Sequence, residues 1–168
     1  MIANGHILTK ARPIKNMLLT KEKEHGVSHG LSEAGYDIRI KQSILFCGSN
    51  DGPRRVGVML PGHEPSFEDG RFAIASTIEE FDMPTDLVGV VHDKSTWARR
   101  GLSVFNTVIE PGWKGFLTLE LVYHGEGTLV VPAGAGIAQV LFHVLTCPAE
   151  YAGKYQHQED RPVESRDS

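Results

Sequence analysis

A single glutamate interrupts an apolar strand pattern at the centre of GWKGFLTLELVYHG, residues 112–125. Residues 116–123 are apolar or β-prone except for this glutamate, so they predict a strand with Glu120 on the same face as Thr118 and Val122. A solvent-facing strand glutamate is the interpretation that the local sequence favours. In a dry cleft, by contrast, burial would raise the pKa of the Glu120 carboxyl and make it a competent proton shuttle.

A second group of polar residues lies in DKSTWARRG, residues 93–101, which predicts a short helix with Asp93 as N-cap and Gly101 just beyond its end. The side chains that could bind phosphate there are Lys94, Ser95, Thr96 and, one turn later, Arg99. A helix N-terminus adds unpaired N–H groups and partial positive charge. A solvated surface helix is the alternative, and it is favoured by the sequence alone.

The third candidate is VIEPGWKG, residues 108–115, where Pro111 and Gly112 suit the central positions of a type II turn. Such a turn would place Glu110 and Trp113 at its two ends. A plain hairpin connection is the alternative that local sequence favours. Glu110 could nevertheless share a cleft with Glu120.

The composition limits the classes of function. A chain of 168 residues with 40% hydrophobic and 23% charged residues predicts one globular domain, and a net charge of −4 argues against general nucleic-acid binding. Cys47 and Cys147 form no CxxC pair, which argues against zinc and disulfides. The zinc-deaminase, P-loop, dinucleotide and GxSxG signatures are missing. With no secretory signal in the opening residues, a cytoplasmic location is expected.

Short β-prone runs separated by glycine and proline turns predict antiparallel strands in a sandwich or barrel. Residues 128–149 contain no Asp, Glu, Lys or Arg, but two prolines and a GAG turn favour two buried strands over a membrane span. Only residues 93–101 predict a helix convincingly.

Together these segments resemble the dCTP deaminase and dUTPase superfamily, specifically its deaminase branch. The resemblance rests on five ordered motifs, namely AGYDIRI at 34–40, the run at 72–102 ending in KSTWARRGL, VIEPGWKGFLTLEL at 108–121, IAQVLF at 137–142 and KYQHQ at 154–158. It implies a mainly all-β domain, a distorted jelly roll or β-barrel of the dUTPase-like type with one short helix, assembled as a homotrimer with shared active sites. The expected single domain spans 1–168, with an N-terminal extension at 1–33, a β core at 34–150 and a C-terminal lid or tail at 151–168.

The resemblance also implies roles for individual residues. Glu120 falls on the catalytic glutamate, and Ser95 and Arg99 would position water and stabilise charge beside it. The implied nucleotide-binding residues are Lys94, Thr96, Trp97, Ala98, Asn106, Thr107, Glu110, Trp113, Thr118, Leu119, Gln139, Tyr151, Lys154 and Gln158. Mg²⁺ is expected through the triphosphate, with no zinc, and no nucleic-acid or membrane partner is expected.

The implied reaction is zinc-independent hydrolytic deamination of a deoxycytidine nucleotide, with dCTP giving dUTP and ammonia. A dUTP or dCTP pyrophosphatase using Glu110, or a bifunctional enzyme forming dUMP, is the first alternative, and a non-catalytic nucleotide-binding regulator is the second. Three departures from the family pattern bear on the substrate: Glu110 replaces an aspartate, the loop before it is about two residues shorter, and the segment between Cys147 and Lys154 is abbreviated.

Overall fold

β-Branched and aromatic runs between turn residues fold as strands throughout the chain. The computed structural model describes residues 1–60 and 62–166, apart from the side chain of Asp51. Its strands are β1 (Ile2–Ala3), β2 (Lys21–Glu24), β3 (Val27–Ser32), β4 (Gly35–Arg39), β5 (Ser43–Cys47), β6 (Arg55–Met59), β7 (Ser66–Asp69), β8 (Phe72–Asp82), β9 (Leu87–Asp93), β10 (Leu102–Val104), β11 (Val108–Ile109), β12 (Lys114–Tyr123), β13 (Leu129–Val131) and β14 (Gly136–Val144). The helices are α1 (Gly5–Ala11) and α2 (Ser95–Ala98), with a 3-10 turn at Ser49–Asp51.

The strands form three antiparallel sheets. The seven-stranded sheet has the order β11-β9-β14-β4-β3-β2 with β1 beside β14, the three-stranded sheet is β10-β12-β8, and the four-stranded sheet is β13-β5-β6-β7. The prediction of a mainly β fold is confirmed. None of the three paths through the described strands returns to its first strand, so the sheets are open and do not form a closed barrel.

Alternate residues of the long strands build the core, because successive strand side chains point to opposite faces. Tyr36, Leu121 and Phe142 are among the buried side chains of the three central strands β4, β12 and β14. Burying one large apolar side chain contributes roughly 1.5–3 kcal/mol. The cluster as a whole therefore holds the sheets together and fixes the register of β12.

The helix content differs from the prediction of one short helix. The described residues contain two α-helices, and α1 was missed although its Leu8 is fully buried. Helix α2 is shorter than predicted, and its N-cap is Lys94 rather than Asp93. Asp93 instead ends β9, where its carboxylate accepts a hydrogen bond from the Val104 N–H at 2.7 Å. This bond to β10 removes Asp93 from the capping position.

Helix α2 is held by its tryptophan. Trp97 is 2% exposed, and its indole N–H donates to the carbonyl oxygen of Gly136 in β14 at 2.7 Å. Gly101 follows the helix with φ +84°, the left-handed backbone that the sequence predicted there.

The uncharged stretch at 128–149 contains β13 and β14 on either side of the PAGAG turn, as predicted. Within the described residues, no helix has the length and apolar character needed to cross a membrane.

The C-terminal tail lies along the beginning of β12. Gln158 forms a parallel bridge with Gly115, its carbonyl oxygen accepts the Phe116 N–H at 3.1 Å, and the His157 N–H donates to the Lys114 carbonyl oxygen at 2.9 Å. The predicted lid at 151–168 extends two residues past the described part of the chain. The described tail, residues 151–166, thus contacts the strand that carries Glu120.

Candidate active site

The turn before β12 forms as the sequence predicted. Gly112 has φ +72°, and the Trp113 N–H donates to the Glu110 carbonyl oxygen at 3.1 Å, closing a four-residue turn. Trp113 is nearly buried, whereas Glu110 is exposed. The turn fixes the start of β12 and the position of Glu110 beside it.

Strand β12 then carries its polar residues to one side. Its pairing with β8 shifts register between Phe116 and Thr118, a bulge that bends the strand locally. Beyond the bulge Leu119 and Leu121 are buried, while Thr118 and Glu120 face a cleft. The face that contains Glu120 is therefore the wall of a concave site.

The cleft has a volume of about 880 Å³ and lies where the three sheets meet. Its walls come from β6 and β7 of the four-stranded sheet, β8 and β12 of the three-stranded sheet, β11 of the seven-stranded sheet, and the tail. Of the residues singled out in the sequence, the cleft brings together Thr107, Glu110, Trp113, Thr118, Glu120, Tyr151 and Gln158. A cleft of this size, with apolar walls and a few polar groups, is typical of a small-molecule site.

Glu120 is half-buried in this cleft. Burial raises the pKa of its carboxyl above the ordinary glutamate value, and a hydrogen bond from the Thr107 hydroxyl to Oε2, at 3.4 Å, opposes that rise. A carboxyl with a raised pKa both accepts and returns a proton more readily near neutral pH. The position therefore suits a group that must do both.

The cleft has an acidic lining. Glu68, Glu110, Glu120 and Glu164 line it, whereas no lysine or arginine does so among the described residues. Such a lining repels an anionic ligand unless cations are supplied from outside it. A triphosphate would need positive charge from elsewhere.

The predicted phosphate-binding segment lies outside this cleft within one chain. Ser95, Ala98 and Arg99 are exposed, Thr96 is partly exposed, and Trp97 is in the core. Lys94 Nζ is 2.5 Å from Asp37 Oδ2, in an ion pair whose side chains are 11% and 5% exposed. One chain therefore does not bring Ser95 or Arg99 to Glu120.

Four further predicted residues also lie away from the cleft lining. Gln139 donates to Ser32 Oγ at 3.1 Å and is paired across the sheet with Asp37. Asn106 is exposed, and Lys154 donates to the Arg166 carbonyl oxygen. The buried side chain of Leu119 points into the core, so only its backbone is available to a ligand.

Comparison with known proteins identifies the family of this chain. A family model described as dCTP deaminase-like matches residues 8–145. A dCTP deaminase from Campylobacter hominis is 36% identical over 167 residues, covering 89% of this chain and 88% of that protein. The dCTP deaminase of Nitrosomonas europaea is 34% identical over 157 residues, covering 86% and 84% of the two chains. This chain belongs to the dCTP deaminase-like family.

Solved structures support the dUTPase-like fold. The native dUTPase of EIAV superposes with a TM-score of 0.51 at 18% identity, covering 86% of this chain and 92% of that one. A 2′-deoxycytidine 5′-triphosphate deaminase from Agrobacterium tumefaciens gives a TM-score of 0.56 at 16% identity, covering 85% of this chain and 47% of that one. At these identities the likeness concerns the fold.

In this dCTP deaminase-like chain the cleft also contains residues that the sequence did not single out. Tyr155 accepts the indole N–H of Trp113 on its carbonyl oxygen at 2.6 Å, and Ser66 and Glu68 reach the cleft from β7. Tail residues 162–165 complete the lining. Tyr155 lies inside the KYQHQ motif, so the sequence could have indicated it as a site residue. Strand β7, by contrast, lines the cleft only because it pairs with β6.

Proposed function

We propose that this protein catalyses the hydrolytic deamination of dCTP to dUTP and ammonia, with Glu120 as the general base and acid. The observation that carries the proposal is a half-buried carboxyl of raised pKa, in a cleft of about 880 Å³, in a chain of the dCTP deaminase-like family. The curated relatives described above are named dCTP deaminases.

In the proposed reaction Glu120 takes up protons and returns them, so it ends in its starting, ionised form. Its ionised carboxylate takes a proton from water as the hydroxide attacks C4 of the cytosine ring. The protonated carboxyl then passes that proton to N3, and the hydroxyl proton of the tetrahedral intermediate is transferred through Glu120 to the departing amino group. The C4–N bond breaks, ammonia leaves, and the C4 oxygen remains as the carbonyl of uracil.

The base and sugar would lie along β12 and its turn. The backbone at Thr118 and Leu119 is proposed to contact the pyrimidine, with Asn106 and Thr107 on its other edge. Trp113 and Glu110 are proposed to contact the deoxyribose, which is supported by their places at the two ends of the turn beside the cleft. Tyr151 and Gln158, both in the cleft lining, would close over the nucleotide with Lys154.

A second copy of the chain is proposed to complete each site, in a homotrimer. The cleft lacks basic side chains among its described residues, while Ser95 and Arg99 are exposed on another part of the same chain. A head-to-tail ring places one surface of each subunit against a different surface of the next. Ser95 and Arg99 of one copy would then position water and stabilise charge beside Glu120 of its neighbour.

The triphosphate is proposed to bind along the segment from Lys94 to Arg99. Thr96, Trp97 and Ala98 would contribute backbone or side-chain contacts. Gln139 is proposed to lie near the phosphates. Lys94 would have to leave Asp37 to reach a phosphate. Mg²⁺, when bound, would neutralise phosphate charge, and its hard oxygen ligands would come mainly from the nucleotide. Among the described residues no group of three or more His, Cys, Asp or Glu side chains could hold a metal ion, which supports binding of the ion through the nucleotide.

A second candidate function is cleavage of the nucleotide to a monophosphate and pyrophosphate. It is favoured by Glu110, a second carboxylate in the same cleft. A regulator that binds the nucleotide without turnover is the third possibility. The two free cysteines, Cys47 and Cys147, support the proposal that the protein works in the reducing cytoplasm.

One assay separates these functions. The protein is incubated with dCTP and Mg²⁺, and ammonia and pyrophosphate are both measured. Ammonia identifies a deaminase, pyrophosphate alone a pyrophosphatase, and neither product a binding protein. Glu120→Gln should abolish ammonia release while dCTP still binds in calorimetry, and a Glu120→Gln protein that keeps most of its rate would overturn the assigned role.

Sharing of the site between subunits is tested by mixing two inactive variants. Glu120→Gln and Arg99→Ala are unfolded, mixed in equal amounts and refolded together. If each site takes Glu120 from one subunit and Arg99 from the next, about a quarter of the sites in the mixture are intact. A mixture as inactive as the two separate variants would contradict the shared site.

A further inference from the structure

We infer that Thr107 is a positioning residue for Glu120, which it ties to the neighbouring seven-stranded sheet. The inference rests on the proposed function, since it assigns a role to a residue beside the proposed general base. It is additional to the contact with the pyrimidine edge that is proposed above for Thr107.

The tie is visible in three hydrogen bonds. The Thr107 hydroxyl donates to Glu120 Oε2 at 3.4 Å, and the Thr107 carbonyl oxygen accepts the Val91 N–H at 3.0 Å. On the other side, the Phe105 N–H donates to the main-chain carbonyl oxygen of Glu120 at 3.0 Å. The short segment 105–107 therefore joins β9 of the seven-stranded sheet to β12 of the three-stranded sheet, at the carboxyl group itself.

Thr107 supplies the one hydrogen bond from another residue's side chain that Glu120 receives within the described part of the chain. The backbone N–H of Glu120 itself also donates to this carboxylate, so the Thr107 hydroxyl is the donor that reaches it from another segment of the fold and sets its direction relative to β9. The 3.4 Å separation is long for a hydrogen bond, and such bonds commonly shorten when a substrate is bound.

The hydroxyl has a second acceptor within reach. Thr107 Oγ1 is also 3.5 Å from the Phe105 carbonyl oxygen. A hydroxyl carries one proton, so it can donate to the ionised carboxylate in one step and turn to Phe105 when Glu120 carries the proton. This alternation would let Thr107 hold Glu120 in both protonation states of the reaction.

The electrostatic consequence has a definite sign. The Thr107 hydroxyl stabilises the ionised form and thus lowers the pKa of Glu120 against the rise caused by burial. The other ionisable groups that line the cleft are Glu68, Glu110, Glu164, Tyr151 and Tyr155. All of them are unchanged in a Thr107 variant, so a shift observed at Glu120 reports the lost hydroxyl.

The test compares Thr107→Val, which removes the hydroxyl at nearly constant shape, with Thr107→Ser, which keeps it. The Glu120 carboxyl is titrated by ¹³C NMR in the full-length protein, and kcat for dCTP is measured across the same pH range. Because one hydrogen bond is lost, Thr107→Val should raise the pKa of Glu120 by about 0.5–1 pH unit and lower kcat by about 3–10-fold. Thr107→Ser, which keeps the hydroxyl, should reverse most of the pKa shift and most of the loss of kcat seen in Thr107→Val.

Thr9→Val is the matched control, since Thr9 lies in α1 and its hydroxyl donates to the His6 carbonyl oxygen away from the cleft. It should change neither quantity. If Thr107→Val does not fold, Thr107→Ala must give the same pKa shift. If Glu120 titrates as in the wild type in a folded variant without the hydroxyl, the inference that Thr107 positions Glu120 is overturned. A wild-type protein that releases no ammonia refutes the proposed function separately, because the NMR titration still measures the Thr107 contact.

Discussion

The indole N–H of Trp113 donates to the main-chain carbonyl oxygen of Tyr155 at 2.6 Å, joining the turn beside the cleft to the C-terminal tail. Gln156 adds two bonds to the same turn: its Nε2 donates to the Gly112 carbonyl oxygen at 3.0 Å, and its Oε1 accepts the Lys114 N–H at 2.7 Å. These contacts position Tyr151 and Gln158 of the tail at the cleft. The position of the tail therefore depends on its contacts with the turn and the first residues of β12.

Replacing Trp113 by phenylalanine tests this dependence. Phenylalanine can retain the ring contact with Phe81, whose centroid lies 6.1 Å from that of Trp113, but it cannot donate to Tyr155. Loss of one buried hydrogen bond should raise KM for dCTP by about 3–10-fold through a looser tail. Hydrogen exchange of residues 151–158 should accelerate. Trp97→Phe, which removes an indole donor elsewhere, should leave exchange in that segment unchanged, and equal exchange in both variants would count against the anchor.

The raised pKa of Glu120 predicts the acidic limb of the pH profile. The proposed reaction needs the ionised carboxylate, so kcat/KM for dCTP should fall as the pH drops through the pKa of Glu120. Because burial raises that pKa, the fall should lie above the ordinary glutamate value of about 4.3. Steady-state rates across pH 4–8 measure it, and a limb at or below the ordinary value would contradict the proposed burial effect.

The same shift predicts a stability difference with a definite sign. A carboxyl whose folded pKa is raised destabilises the fold once it ionises, so its stabilising neutral form is lost as pH rises through the folded pKa. Glu120→Gln cannot ionise and should therefore unfold at a higher urea concentration than wild type at pH 7–8. The difference should vanish below the unfolded glutamate pKa of about 4.3. A variant that is less stable at every pH would argue for a structural role of the carboxylate instead.

Local sequence signals predicted much of this site. The alternation around Glu120, the turn at Pro111 and Gly112, and the two strands at 128–149 all depend on neighbouring residues in the chain, and each of these elements is present. The position at which α2 begins, by contrast, is set by a contact between residues distant in the local pattern. The carboxylate of Asp93 bonds to the Val104 N–H, so the helix begins one residue later than its sequence indicated.

The parts that were missed come from long-range pairing. Ser66 and Glu68 reach the cleft because β7 pairs with β6, and no short motif encodes that pairing. Helix α1 has no acidic residue in its first turn and no side-chain N-cap hydrogen bond, so the usual start signals were weak. Its buried Leu8 shows that packing stabilises it.

A partly buried ion pair between Arg39 of β4 and Glu79 of β8 offers a test of the fold apart from the site. Arg39 donates to Glu79 through both its backbone N–H, at 2.8 Å, and its side-chain Nε, at 2.9 Å, and the Glu79 side chain is 2% exposed. Arg39→Met leaves this carboxylate without its cation and should lower the free energy of unfolding by about 3 kcal/mol at pH 7. Burial raises the pKa of Glu79, so protonation of this carboxyl should reduce the loss as the pH is lowered.

Urea denaturation of Arg39→Met, Glu79→Met and the double variant measures this coupling. The double variant should be more stable than Arg39→Met, because no unpaired charge remains buried. Lys15→Met, which breaks the exposed pair with Glu80, is the control and should leave the midpoint unchanged. Additive effects of the two buried substitutions would show that Arg39 and Glu79 do not act as a pair.

The tail packs directly against the backbone of β12 at Gly115. Its φ is +135°, and a Cβ added there would lie 2.6 Å from the backbone nitrogen of Gln158 and 2.8 Å from its carbonyl oxygen. Both atoms are backbone, so Gly115→Ala cannot be accommodated by moving a side chain. The variant should release the tail, accelerate hydrogen exchange at Phe116 and Gln158, and raise KM for dCTP. Gly127→Ala is the control, since nothing lies within 4 Å of a Cβ there and its backbone is unstrained. Slow exchange at Phe116 in a folded Gly115→Ala protein would show that β12 holds the tail without this close approach.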